Sequence, residues 1–77
     1  MAGIKQLTFT VEDMKHSAVE YMESCITYLT VGDVDFAARD YGKAQVWAEM
    51  LDDIGIVLED EDEHFRAMMA TADERLF

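Results

Sequence analysis

The stretch DFAARDYGKAQVWAEMLDDI, residues 35–54, decides the fold. Wound as an α-helix at ~100° per residue, it gathers Gln45, Glu49, Asp52 and Asp53 on one polar arc. Opposite them Ala37, Tyr41, Ala44, Ala48 and Leu51 form an apolar stripe, and Phe36, Trp47, Met50 and Ile54 form a second stripe beside it. A helix that is apolar over more than half its girth cannot be satisfied by one neighbour. The pattern predicts one helix on the alanine-rich stripe and a further element on the Phe36/Trp47 stripe.

Upstream, residues 11–31 carry Val11, Met14, Ala18, Tyr21, Met22, Cys25, Ile26, Tyr28 and Leu29 on one broad face. Glu12, Asp13, His16, Glu20, Glu23, Ser24 and Thr27 occupy the other face, which makes an amphipathic helix. Thr10 fits its N-cap, with Asp13 three residues on as the shorter-acid version of a capping box. Phe9 and Met14 stand where a hydrophobic staple would join them, and residues 1–9 read as a short extended lead.

Gly32-Asp33 stops this helix, and Asp33 or Asp35 can cap the next, so helices 11–31 and 35–54 form an antiparallel hairpin. Gly55 ends the second helix, with Ile56 placed for the apolar contact of a Schellman cap. A third helix begins within the acidic run of residues 59–63 and reaches about residue 76, with Phe65, Met68, Met69, Ala72 and Leu76 along one narrow stripe. The expectation is an all-α fold: one domain, residues 1–77, a small three-helix bundle with helices at about 11–31, 35–54 and 60–76. Gly42 falls inside the second helix, where glycine costs ~1 kcal/mol relative to alanine, so a kink or a close contact is expected there.

A chain of 77 residues is short for a self-sufficient core, which makes oligomerisation a reasonable second source of stability. Cys25 is the only cysteine, so no disulfide framework exists and a reducing, cytoplasmic setting is expected. No apolar run approaches the ~20 residues of a membrane span, and no basic-then-apolar leader is visible.

Seventeen acids against six bases give a net charge of −11. It is spread along the chain: five acids and two bases in residues 1–34, five and two in 35–55, seven and two in 56–77. Such a field repels nucleic-acid backbones and anionic membranes and favours a protein partner with a basic surface. Alternatively, the charge serves solubility.

Catalytic and metal chemistry find little foothold. Asp13-x-x-His16 and Glu61-x-x-His64 have the helical spacing of carboxylate-bridged metal bundles, but the facing glutamates of such sites are not evident. Residues 59–63 lack the spacing and the glycine of a calcium loop. Cys25 lies mid-face on the first helix, where an inert core thiol belongs, and no phosphate-binding loop or nucleophile elbow is present. No enzyme activity, metal or cofactor is expected.

Two functional expectations follow. The first is a small acidic binding protein that mimics DNA at a basic site and occludes it. Its contact surface would be Glu20, Glu23, Glu49, Asp52, Asp53, Glu59, Asp60, Glu61, Asp62 and Glu63. Phage and mobile-element inhibitors of nucleic-acid-handling machinery share this size and charge, which is a likeness of class and not of sequence. The second is an assembly module that homodimerises through Phe36, Trp47 and Met50, unless the third helix covers that stripe. The pattern Gly32-Asp33, Ala37, Tyr41, Ala44, Trp47 resembles tandem helical-hairpin repeats, but such units need stacked copies and this chain has one hairpin.

Overall fold

The computed structural model describes residues 10–77, which lie in helices, their caps and the short turns between them, with no strand among the described residues. The proposed extended lead and the Phe9–Met14 staple lie outside the described residues. Helix α1, Val11–Thr30, opens on the capping box: the Asp13 amide donates to Thr10 Oγ1 at 3.0 Å, and the Thr10 amide donates to the Asp13 carboxylate at 3.2 Å. It closes in a Schellman motif, the Gly32 amide donating to the Leu29 carbonyl and the Asp33 amide to the Tyr28 carbonyl. Gly32 takes φ +85°, which a residue with a Cβ reaches only with strain.

Asp33 then caps α2, Val34–Asp53, by accepting from the Phe36 amide at 3.2 Å. This single reversal makes the predicted hairpin. The end of α2 repeats the device, with Gly55 at φ +88° and the Ile56 amide donating to the Leu51 carbonyl at 2.9 Å. Ile56 packs on the core.

The third segment differs from expectation. Residues 58–76 form two helices: a single turn, α3 (Leu58–Glu61), and then α4 (Glu63–Leu76). The break is Asp62, whose backbone is extended and whose carboxylate accepts from the Phe65 amide at 3.0 Å. Aspartate favours a cap over a helix interior because its side chain competes for backbone donors. A continuous helix would also stack the acids of 59–63 at repulsive i, i+3 and i, i+4 spacings.

One core runs through the molecule: Met14, Ala18, Met22, Cys25 and Leu29 from α1, Ala37, Tyr41, Ala44 and Leu51 from α2, then Leu58, Phe65, Met68 and Ala72. Ala37 and Ala44 are fully buried, so α2 approaches α1 closely on the stripe predicted for it. Helix α4 lies chiefly against α1 and meets α2 along Tyr41 and the Gln45/Ala48/Asp52 side. It therefore leaves the Phe36/Met50 side of α2 uncovered: Phe36, Met50 and Ile54 stay 43%, 39% and 55% exposed.

Gly42 lies in an unbroken helix, and a Cβ added there meets nothing within 4 Å, so neither a kink nor a close contact accounts for it.

Candidate functional site

The ten candidate acids divide by what they do inside the fold. Five are engaged. Glu61 accepts from Lys15 Nζ at 2.9 Å, and Glu23 lies 3.2 Å from His64 Nε2; both pairs tie the third segment to α1. The hydrogen bond from Lys15 to Glu61, opposed by some desolvation, is the main reason that the lysine's pKa is raised. Glu20 lies 3.1 Å from His16, Glu63 lies 3.6 Å from Arg66, and Asp62 is spent as the cap of α4.

The other five, Glu49, Asp52, Asp53, Glu59 and Asp60, are exposed and form no side-chain hydrogen bond or ion pair among the described residues. Three of them converge. Glu49 and Asp52 on α2 and Glu59 on α3 rim a groove of about 270 Å³ whose remaining lining is Gln45, Ala48, Val57, Leu58 and Met69. The groove exists because the Gly55 turn brings α3 back beside the last turns of α2 and because Met69 of α4 closes the far wall. Its lining is mixed: carboxylates at the rim, apolar side chains between them. That combination suits the aliphatic stem and cationic head of a lysine or arginine side chain. The apolar lining from Val57, Leu58 and Met69 was invisible in the linear pattern, since it depends on the angle at which α4 returns.

The second candidate patch is only partly continuous. Phe36 stacks on Tyr28 of α1 with ring centroids 5.3 Å apart, and the Arg39 guanidinium lies over the Phe36 ring, 4.5 Å from its centroid. Trp47 is half-buried against the core, and Met50 stands at the surface. Val46, 55% exposed, belongs to the same side of the helix. Lys43 reaches over Tyr21 at 5.4 Å. Asp40, which its spacing places at the exposed edge of this patch, is instead 3% exposed; it accepts from Ser24 Oγ at 2.5 Å and lies 3.6 Å from Arg39 Nε. Its burial reflects the close approach of α1, which brings Ser24 over it.

Of the two carboxylate–histidine motifs, Glu61 and His64 reach α1 through Lys15 and Glu23, and not through Asp13 or His16. Their members are engaged with other partners, and no group of three or more metal-ligating side chains occurs among the described residues. The Cys25 thiol is buried, and burial, with the charge of Asp40 second, pushes its pKa up and away from the nucleophilic thiolate. Among the described residues no helix is long and apolar enough to cross a membrane. No family model, curated protein or solved structure matches the chain.

Proposed function

We propose that this protein is a non-enzymatic binding protein that offers its carboxylates to a basic surface on a protein target and, by sitting there, keeps nucleic acid off it. One observation carries the reading: Glu49, Asp52 and Glu59 line one groove with no cationic partner among the described residues, whereas neighbouring acids of the same chain are taken up by Lys15, His16, His64 and Arg66. Holding like charges together costs electrostatic energy, and an incoming cation offsets that cost. With −11 in total, the long-range field also speeds encounter with a basic partner. The inhibitor role in a phage or mobile element is the class that this mechanism fits best.

The test is capture of target from lysate by the wild type and by the triple variant Glu49→Lys, Asp52→Lys, Glu59→Lys, followed by competition with duplex DNA for the captured protein. The reading expects a nucleic-acid-binding protein that is retained by the wild type, lost by the variant, and displaced from DNA on adding the wild type. Retention that is indifferent to the triple reversal sinks it.

A second reading, an assembly module, is favoured by a different observation: the side of α2 carrying Phe36, Val46, Met50 and Ile54 has no covering element among the described residues.

A further inference from the structure

The uncovered side of α2 has an order of its own. Phe36, Arg39, Lys43, Val46, Met50 and Asp53 follow one another at alternating spacings of three and four, which is the seam of a helix that pairs with another helix. The seam is polarised along its length. Its first half carries the cations Arg39 and Lys43, and its second half carries Val46, Met50 and Asp53, with the carboxylate of Glu49 on its flank. All six seam residues except Lys43 and Arg39 lack a cationic head, and those two cations are held on aromatic faces, over Tyr21 and Phe36.

We propose that a second copy of this chain covers the seam, α2 against α2 and antiparallel, in a two-fold homodimer. This rests on the assembly reading, and Glu49 is the residue it shares with the carboxylate groove. Charge complementarity selects the occupant and its direction. In an antiparallel pair the first half of each seam lies over the second half of the other: Lys43 faces Val46 with Glu49 at its flank, Arg39 faces Met50, and Asp53 reaches the Phe36 ring on which Arg39 rests. In a parallel pair, Arg39 and Lys43 would meet their own copies at one end, and Glu49 and Asp53 would meet theirs at the other. A two-fold contact is self-complementary by construction, and this seam is complementary to its own reversal. Asp35, on the first turn, is the one acid brought towards Asp53 of the other copy, and Arg39 lies between them. The apolar residues supply the affinity; the crossed charges set the direction. A seam from residue 36 to residue 53 is about 26 Å long at ~1.5 Å per residue.

The test is sedimentation equilibrium of the intact chain at rising concentration, for the wild type, Val46→Lys and Val46→Glu. Val46 is exposed in the monomer, so both variants keep the fold, and circular dichroism checks it. Antiparallel pairing places residue 46 against Lys43 of the other copy. Val46→Lys should weaken the dimer about tenfold or more, and Val46→Glu should weaken it far less. General repulsion would rank them the other way, because the glutamate adds to the negative charge and the lysine reduces it. A monomeric wild type at every concentration overturns the proposal, as does a dimer that loses or keeps its affinity equally in both variants.

Discussion

The hydroxyl of Tyr41, on α2, donates a hydrogen bond to the carboxylate of Asp73 on α4. Gln45 donates to the same hydroxyl at 3.3 Å, and the Phe77 ring meets the Tyr41 ring edge-on at 5.5 Å. Tyr41 is 5% exposed, so this contact fixes how α4 sits against α2 and hence the far wall of the groove. Burial first, and the Asp73 hydrogen bond second, raise the pKa of the Tyr41 phenol.

Tyr41→Phe should therefore destabilise the fold by about 1.5–2 kcal/mol, the lower part of the range for a hydrogen bond to a charged group, because Asp73 is exposed and water can replace the phenol. The pH dependence has a definite sign. A phenol whose folded pKa lies above its unfolded value of about 10 contributes stability that is complete below that pH and is lost as pH rises through the folded value. Urea denaturation between neutral pH and pH ~11 should show the wild type losing its advantage over Tyr41→Phe in the alkaline range. A constant difference across that range would exclude the coupling.

Gly42→Ala should stabilise the protein by about 0.5–1 kcal/mol, because the helix is regular there and the added methyl meets nothing. Gly32→Ala should do the reverse by about 1–2 kcal/mol, since φ is +85° at the turn that builds the hairpin. Thermal unfolding of the two variants compares them directly. A destabilised Gly42→Ala would show that the backbone there approaches something in solution.

The hairpin was legible because its signals are local: a capping box at Thr10 and Asp13, glycines at 32 and 55, and alanines at 37 and 44 on the inward stripe. The third segment was less legible because its position is set by contacts far apart in sequence. Phe65 and Met68 mark an apolar stripe but do not say which side of α2 they will cover, and Tyr41–Asp73 decides it. The same limit applies to the acids. Nothing in the run 59–63 distinguishes Asp62, a cap, from Glu59, a groove wall, until the chain direction at residue 62 is known.

That distinction gives a stability test within one acidic run. Asp62→Ala should cost about 1 kcal/mol, the usual worth of an N-cap, because the Phe65 amide loses its acceptor. Glu59→Gln should be neutral or slightly stabilising, since Glu59 has no cationic partner among the described residues and lines the same groove as Glu49 and Asp52. Urea midpoints of the two variants check both. Equal effects would mean that Asp62 is one solvated acid among others.

Salt should move the two proposed interactions in opposite directions. A carboxylate groove that holds a basic target depends on attraction between unlike charges, so its affinity should fall steadily as ionic strength rises. The α2 dimer brings together two copies that each carry −11, and its affinity comes from Phe36, Val46 and Met50. At an ionic strength of ~0.01 M the screening length of ~30 Å spans the whole interface, and the like-signed fields oppose association. At ~0.15 M the length falls to ~8 Å, repulsion between the outer acids is screened, and apolar burial is unaffected, so the dimer should tighten. Sedimentation of the free protein and capture of its target, each measured across that range, separate the two surfaces without any mutation. A dimer that dissolves on adding salt would mean that ion pairs, and not the apolar seam, hold it together.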